Sequence, residues 1–436
     1  MNGARPLHAF YGDDFTGATD TLATLAQHGW RTVLFLDAPS AEHLARAGEL
    51  DAIGVAGTAR ALPPDAITRE VDRVGQRLAE IGARTLHYKV CSTFDSAPAT
   101  GSIGAAVAAL RRHFPNPVVP IVGGQPNLRR FCVFGNLFAA AGTPPGIHRI
   151  DRHPTMSRHP VTPMHEADLR RHLAAQGLAP IALIDWLAQQ QGKLQAQVEA
   201  ALADGAQAVL FDVLDDTVLP HIGTLIDTLA ERTPLLAVGA SSVAQALVQA
   251  RGALPATAQP DAPPPGAIRP RSTLPVFALA GSLSPLTEQQ IAAARHYEKI
   301  ELSPAAMTRD RAYLETSAAH IGRALDAGRS VLAYTERPGS GGATVSESLA
   351  PACADLLAQV LELAPVRRVV VAGGDTSSYA VKRLDVWGLS YVARVGAGVA
   401  MCRLHADRPH LDGLEIVLKG GQMGEPGFFD QAAAAS

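Results

Sequence analysis

Short apolar segments that end in a glycine or polar turn and run on into a helical stretch recur along this chain. The segments before residue 252 are 32–36, 52–56, 208–211 and 235–238, and those after residue 275 are 276–280, 330–334, 367–371 and 414–418. Strands that alternate with helices are joined by crossover connections, which favour a mostly parallel sheet covered by helices. The sequence therefore predicts an α/β fold.

A proline-rich segment divides the chain between Gly252 and Pro275. Proline has no backbone N–H and breaks helices and central strands, so this segment is interpreted as an extended, fairly stiff linker. We predict an N-terminal domain over residues 1–251, a linker over 252–275 and a C-terminal domain over 276–436. Two α/β domains with mostly parallel sheets facing each other across a cleft are the expected architecture, since such clefts are favoured ligand sites.

Charge and composition limit the classes of partner. The chain has 436 residues and a formal net charge of -3, so nothing favours nucleic acid or a membrane surface as a partner. No apolar run approaches the roughly 20 residues of a membrane span, and no signal peptide precedes the first strand. The four cysteines lack a C-x-x-C pair, which favours a reducing cytoplasm. We expect a cytoplasmic protein that acts on small molecules, and a homodimer is compatible with these properties.

Two adjacent carboxylates, Asp13 and Asp14, lie on the turn between an apolar strand over 7–11 and a helix over 16–28 that ends at Gly29. Open α/β sheets bind ligands at this edge. One aspartate would suffice to cap the helix. A second neighbouring carboxylate repels the first, which favours a partner that neutralises it, such as a metal ion, an abstracted proton or a substrate hydroxyl. We expect Asp13 and Asp14 to be the catalytic residues.

Another polar cluster follows the apolar segment that ends near Lys89. Lys89 lies beside several hydroxyl groups, a set that suits a small polyhydroxylated anion. Arg60 follows the strand 52–56, and a guanidinium there can grip a carboxylate with two parallel hydrogen bonds. Taken singly, each cation is more simply interpreted as an exposed surface residue. The candidate substrate-binding residues at this edge are Arg60, Lys89, Cys91, Ser92, Thr93 and Asp95.

Three glycine-bearing turns follow predicted strands of the C-terminal half, at 281–284, 373–376 and 419–424. Glycine lets backbone N–H groups approach a phosphate, and a helix N-terminus adds a favourable dipole. The first turn precedes a helix opened by Thr287 with Gln290 at capping-box spacing, and the second precedes a helix over 379–384. None has a Walker A or G-x-G-x-x-G pattern, so plain turns stay an equal alternative. The candidate nucleotide-binding residues are Ser282, Ser284, Gly373, Gly374, Asp375, Thr376, Gly421 and Gly424.

Residues 151–165 are rich in histidine and proline. The histidines have neither a helical i, i+4 pair nor a nearby cysteine pair, which favours a structural or substrate-contacting loop over a zinc site. Thr162 and Pro163 predict the N-cap and first residue of a helix over 164–176.

Taken in order, these motifs resemble those of the four-carbon acid sugar kinase family, whose members phosphorylate tetronates with ATP. The resemblance covers nearly the whole chain. Within it, Cys91–Ser96 is most similar to the 3-oxo-tetronate kinase branch and less similar to the threonate kinase branch. The matching stretches are 13–20, 89–96 with Gly101 and Gly104, 159–164, 281–285, 373–377 and 419–424.

The resemblance implies a division of labour, in which the N-terminal domain binds the sugar acid, the C-terminal domain binds ATP with Mg2+, and the cleft closes. Asp14 would deprotonate the substrate hydroxyl, and Asp13 would help to place Mg2+ or the turn. Arg60 and Lys89 would bind the substrate carboxylate, while Ser92 and its neighbours bind hydroxyl groups.

The reaction expected from this resemblance is ATP-dependent phosphorylation of 3-oxo-tetronate at its 4-hydroxyl, with D-threonate, L-threonate or D-erythronate as other substrates. Two further functions stay open. An aspartyl-nucleophile phosphatase also has aspartates after a strand, although it spaces them Asp-x-Asp. A non-catalytic sugar-acid-binding protein would also have two α/β lobes.

Overall fold

The structure, a computed structural model, describes residues 6–141, 146–159, 161–252, 274–281, 284–336, 343–421 and 423–435. The chain forms two compact units, Met1–Gln259 and Pro260–Ser436. Each unit combines helices with a mostly parallel sheet, so the predicted α/β class is confirmed. Residues 253–273 of the predicted linker lie outside the described residues, and the proposed domain limits stay a prediction.

The N-terminal unit has a parallel sheet with strand order β2-β3-β1-β4-β11-β5-β10-β9 and a small antiparallel sheet, β6-β7-β8. Its strands are β1 His8–Gly12, β2 Thr32–Phe35, β3 Ala52–Ala56, β4 Thr85–Lys89, β5 Val119–Val122, β6 Arg130–Val133, β7 Asn136–Ala141, β8 Gly146–Arg149, β9 Ile181–Ile184, β10 Ala208–Phe211 and β11 Leu235–Gly239. Its helices are α1 Phe15–Gln27, α2 Ala41–Ala47, α3 Pro64–Ile81, α4 Ile103–Leu110, α5 Leu169–Ala174, α6 Trp186–Gln189, α7 Leu194–Ala203, α8 Leu219–Arg232 and α9 Ser242–Arg251.

The C-terminal unit has the strand order β13-β14-β12-β15-β18-β17-β16, in which β16 and β17 form an antiparallel hairpin and the other strands run parallel. Its strands are β12 Val276–Ala280, β13 Glu298–Leu302, β14 Val331–Thr335, β15 Arg368–Ala372, β16 Val386–Gly396, β17 Val399–Ala406 and β18 Glu415–Lys419. Its helices are α10 Pro285–Ala293, α11 Pro304–Arg309, α12 Arg311–Asp326, α13 Ala343–Leu363, α14 Gly374–Arg383 and α15 Phe428–Ala434.

The central strands of the two large sheets are buried, which explains why they are largely apolar runs. All five residues of β1, β3, β12 and β15 are buried. A buried strand carries its polar side chains where it ends. The carboxyl ends of β1, β3 and β4 lie side by side, because Gly12 pairs with Ala56 on one side and with Lys89 on the other. The fold thus brings together the polar turns that follow these strands.

The predicted helix over 164–176 is wrong, since only Leu169–Ala174 is helical and Asp168 is its N-cap. The preceding residues are extended because their backbone pairs with β7. Ala167 accepts a hydrogen bond from the Leu137 N–H at 2.9 Å, and the Leu169 N–H donates to Gly135 at 2.9 Å. Tertiary pairing therefore overrides the local Thr-Pro capping signal.

Two helices of the C-terminal unit begin earlier than predicted. The first starts at Pro285 and not at Thr287, because the Ser284 hydroxyl accepts from the Thr287 N–H at 3.1 Å and proline suits the first helical position. The second starts at Gly374 and not at Tyr379. Asp375 and Thr376 therefore lie in the first turn of α14, where the backbone N–H groups have no partner within the helix.

Candidate functional site

Asp14 caps the first helix of the N-terminal unit. Its backbone is extended, its Oδ1 accepts from the Gly17 N–H at 2.9 Å, and its Oδ2 accepts from the Thr16 hydroxyl at 2.9 Å. The neighbouring Asp13 takes no part in this cap. Its backbone N–H donates to the Lys89 carbonyl at 2.9 Å, which fixes the turn to the end of β4. One of the two predicted catalytic carboxylates thus has a capping role as well.

Arg60 holds both carboxylates. Its Nη2 and Nε donate to the two oxygens of Asp13 at 2.7 and 3.2 Å, and its Nη1 donates to Asp14 Oδ2 at 2.9 Å. The Arg60 backbone N–H also donates to the Asp13 carbonyl at 3.2 Å. The expected grip of two parallel hydrogen bonds is present, but its partner is Asp13 of this chain. Three of the five guanidinium N–H groups are used in this way.

The two carboxylates differ in exposure and in proton affinity. The Asp13 side chain is 5% exposed and the Asp14 side chain 21%. Burial raises the pKa of Asp13, and the charge of Asp14 adds to this, while Arg60 and Lys89 oppose it. Burial also acts on Asp14, but there the charges of Arg60 and Lys89 and the capping hydrogen bonds outweigh it, so the pKa of Asp14 lies below its ordinary value. Asp14 is therefore the more accessible member of the pair and the one whose surroundings favour the ionised form.

Lys89 ends β4 and is buried, with its ammonium group packed against the first turn of α1. A Cβ atom on Gly17 would lie 1.9 Å from Lys89 Nζ, so only glycine at position 17 leaves room for this ammonium. In the part of the chain that the structure describes, Lys89 Nζ has neither an ion pair nor a hydrogen bond within the usual distances. Asp13 and Asp14 lie near enough for their charges to act on this ammonium but form no ion pair with it, so its donors are available to a ligand that carries negative charge.

The segment after β4 places the other predicted substrate-binding residues near Lys89. Thr93 and Asp95 are buried and bonded to each other, with 2.5 Å between Thr93 Oγ1 and Asp95 Oδ1. Cys91 Sγ lies 2.9 Å from Thr93 Oγ1, and burial raises the pKa of its thiol to about 11. Cys91 and Ser92 are only partly buried. Cys91 and Ser92 are thus accessible to a ligand, and Thr93 and Asp95 support the loop beneath them.

Sequence reasoning missed two polar residues at this edge, Gln125 and Arg130. Gln125 follows Gly123 and Gly124 after β5, is buried, and donates its Nε2 to Asp20 Oδ2 at 3.0 Å. Arg130 begins β6. A glycine pair after an apolar strand was the available signal, since the same pattern singled out the turns of the C-terminal half.

Two histidines of the loop after β8 accept hydrogen bonds from the backbone of that loop. His159 Nδ1 accepts from the Thr162 N–H at 3.1 Å, and His153 Nδ1 accepts from the Met156 N–H at 3.1 Å. Across the described ranges, no three His, Cys, Asp or Glu side chains form a group that could hold a metal ion. With Arg60 on both Asp13 and Asp14, this pair does not fit a resident Mg2+ either.

In the C-terminal unit, hydrogen bonds join the first and third glycine turns. The Ser284 hydroxyl donates to the Gly421 carbonyl, and the Thr287 hydroxyl donates to the same carbonyl at 3.2 Å. Lys419 Nζ donates to Thr287 Oγ1 and to the Gly420 carbonyl, both at 3.1 Å. Lys419 is fully buried, and burial lowers its pKa to about 8. The predicted residue Ser282 lies outside the described residues.

The second glycine turn packs against the first. Gly373 has a φ of +127°, which favours glycine, and its N–H donates to the Lys419 carbonyl at 2.8 Å. A Cβ atom on Gly281 would lie 2.5 Å from Thr376 Oγ1, so these two turns meet only with glycine at position 281. Gly374 and Asp375 are exposed at the start of α14. The three turns therefore surround a helix N-terminus that is open to a ligand.

Gly424, the last predicted nucleotide-binding residue, has a φ of +83° and packs on Phe428.

Each of the four cysteines, all in described parts of the chain, carries a free thiol. No helix within the described ranges is long and apolar enough to cross a membrane.

Two family models match the chain. One describes a sugar-binding N-terminal domain and matches residues 8–247, and the other describes a nucleotide-binding C-terminal domain and matches residues 277–429. Similar curated proteins include a 3-oxo-isoapionate kinase of Paraburkholderia graminis, which is 40% identical over 97% of this chain and 93% of that protein. A 3-oxo-tetronate kinase of Methylobacterium radiotolerans is 31% identical over 96% of this chain and 97% of that protein.

Solved structures share the fold. A Salmonella typhimurium protein has a TM-score of 0.79 and 22% identity, with 98% of each chain covered. A Haemophilus influenzae protein has a TM-score of 0.72 and 24% identity, with 97% of this chain and 98% of that chain covered.

Proposed function

Since this chain belongs to the four-carbon acid sugar kinase family and is a sugar-acid kinase, we propose that it transfers the γ-phosphate of ATP to a hydroxyl group of a 3-oxo sugar acid. Relatives named for two 3-oxo acids support this substrate class. The higher identity, 40% against 31%, favours 3-oxo-isoapionate over 3-oxo-tetronate as the preferred substrate. Tetronates without the oxo group are the weaker alternatives.

The observation that carries the proposal is the carboxylate pair clamped by Arg60 beside the unpaired Lys89 ammonium. Phosphoryl transfer to an alcohol needs a residue that accepts the hydroxyl proton, fixed geometry, and positive charge near the substrate. Asp14 is the proposed proton acceptor, because it is the more exposed carboxylate and its surroundings favour the ionised form. Asp13 and Arg60 hold its turn in place.

Substrate binding falls to the residues around the end of β4. Lys89 supplies a positive charge to the acid, and Cys91 and Ser92 offer polar groups from the accessible side of their loop. Thr93 and Asp95 position that loop through their mutual hydrogen bond. Arg60 acts here as the partner of the aspartates, a role that differs from the carboxylate-binding role expected from its sequence position alone.

The three glycine turns are the proposed phosphate-binding site for ATP. The N-terminus of α14 presents backbone N–H groups at Gly374, Asp375 and Thr376, and its dipole favours an anion. Ser284 and Gly421 keep the adjoining turns together. Mg2+ binds few protein carboxylates in such sites and is held largely by the phosphates, so we treat it as part of the MgATP substrate.

The test is ADP release with ATP and Mg2+ over a panel of 3-oxo-isoapionate, 3-oxo-tetronate, D-threonate, L-threonate and D-erythronate. We expect turnover with the 3-oxo acids and the highest kcat/KM with 3-oxo-isoapionate. Preference for a tetronate without the oxo group would refute the substrate class. Absence of ADP with every acid, while the folded protein still binds ATP, would refute the sugar-acid substrate altogether.

A further inference from the structure

If the proposed function is right, the substrate is an acid, and a residue of the N-terminal unit must recognise its carboxylate. Arg60 is already committed to Asp13 and Asp14. Lys89 alone offers a single point charge, which attracts a carboxylate without fixing its plane. A second cation at the same edge would provide that orientation if it had no carboxylate partner of its own.

Arg130 satisfies this condition. Its Nη1 donates to the Leu128 carbonyl, whereas its Nε is fully buried and has no hydrogen-bond partner. Within the described ranges, Arg130 forms no ion pair with an aspartate or glutamate. Burial lowers the pKa of Arg130, in line with a guanidinium that no anion compensates. A desolvated guanidinium with an unused donor is costly unless a ligand supplies the acceptor.

The backbone places Arg130 at the same edge as Lys89. Gln125 and Arg130 exchange two backbone hydrogen bonds, with N–O distances of 2.9 and 3.2 Å, and the Gln125 side chain binds Asp20 in α1. The turn that carries Arg130 therefore lies over the carboxyl end of β5. Only β11 separates β5 from β4, so the ends of these two strands are about 10 Å apart at the usual strand spacing.

Cys91 lies near both Lys89 and Arg130. It follows Lys89 by two residues, and it lies near enough to Arg130 to oppose the lowering of the pKa of that guanidinium by burial. The Arg130 guanidinium thus lies near the loop that carries the partly buried residues Cys91 and Ser92.

We propose that Arg130 binds the carboxylate of the sugar acid through paired N–H donors, with Lys89 as the second cation, and so selects acids over neutral sugars. Arg130 orients the substrate by its acid end, and the opposite end of a short chain then lies toward Asp14. The residue is a specificity determinant of the N-terminal unit and does not take part in proton transfer.

The test compares Arg130→Gln with Arg129→Gln, which removes one positive charge from the preceding, exposed residue of the same turn. Binding of the best acid of the panel is measured by calorimetry without ATP, so the result does not depend on turnover. We expect Arg130→Gln to weaken acid binding about 10- to 100-fold, the range for a charge-assisted pair of hydrogen bonds. Arg129→Gln should stay within about 3-fold of the parent.

The carboxamide of the same acid separates recognition from structure. If Arg130 binds the carboxylate, the parent prefers the acid to the amide, Arg130→Gln loses most of that preference, and Arg130→Lys recovers part of it. Equal weakening of acid and amide binding would mean that Arg130 only supports the fold, and unchanged acid binding would overturn the assignment directly. The proposed function fails separately, through absence of ADP from a parent protein that binds the acid.

Discussion

Replacing Arg60 by glutamine should destabilise the N-terminal unit, and the loss should depend on pH. Arg60 makes three hydrogen bonds to Asp13 and Asp14, and Asp13 is only 5% exposed. Without the guanidinium, two adjacent carboxylates remain in a largely buried turn. Loss of one partner from a buried ion pair costs about 3–5 kcal/mol, and the partial exposure of Asp14 favours the lower end, about 3 kcal/mol.

The sign of the pH dependence follows from Asp13. Burial and Asp14 already raise its pKa, and loss of Arg60 removes the main opposing charge. The folded variant then binds a proton more readily than the unfolded chain, so lowering the pH stabilises the folded variant. The stability difference between parent and variant should therefore shrink as the pH falls from 8 to 5. Asp14, whose pKa is lowered, loses its contribution only below this window.

The assay is urea unfolding followed by tryptophan fluorescence at pH 8 and pH 5, with Trp30 and Trp186 as probes in this unit. Arg73→Gln is the matched control, because Arg73 pairs with Asp37 at the surface and should contribute at most about 1 kcal/mol. The double variant Arg60→Gln with Asp13→Asn should recover much of the lost stability. A loss below about 1 kcal/mol, or an equal loss at both pH values, would refute this view of the Asp pair.

The C-terminal unit yields two further predictions. Burial lowers the pKa of Lys419 to about 8, so its positive charge is lost as the pH rises through that value. The KM for ATP should therefore increase between pH 7 and 9 in the parent but not in Lys419→Met. A KM for ATP that stays constant over this range in the parent would exclude a role for this charge. Gly281→Ala places a Cβ 2.5 Å from Thr376 Oγ1 and should weaken ATP binding about 10-fold or more, because it separates two of the glycine turns. Binding of the sugar acid should be unchanged. An unaltered affinity for ATP, measured by calorimetry, would contradict the proposed phosphate site.

The sequence was sufficient to locate several buried strands and the polar turns that follow them. The predicted segment 52–56 coincides with β3, and 276–280 coincides with β12, because strands buried on both faces are continuous apolar runs between polar residues. For the same reason the position of Asp13 and Asp14 at the end of β1 was predictable. Local pattern and local structure agree at these points.

Contacts between distant residues were not predictable in this way. Arg60 lies more than forty positions from Asp14, and no spacing rule indicates that its guanidinium holds the aspartates rather than a ligand. The hairpin of β16 and β17 was missed, although the two strands pair directly around the two-residue turn of Ala397 and Gly398. The glycine pair after β5 indicates the turn that carries Arg130 but not the residue itself, since the unpartnered Nε of Arg130 depends on three-dimensional packing.

Asp14→Asn tests whether Asp14 accepts the proton of the substrate hydroxyl, because asparagine keeps the helix cap but cannot accept that proton. Turnover of the best acid and ATP binding are measured side by side, with Asp310→Asn, another N-cap aspartate, as the control. We expect kcat to fall by roughly 10²- to 10⁴-fold with ATP affinity within about 3-fold of the parent, and no change in the control. Full activity of Asp14→Asn, or loss of ATP binding in the same variant, would contradict this expectation.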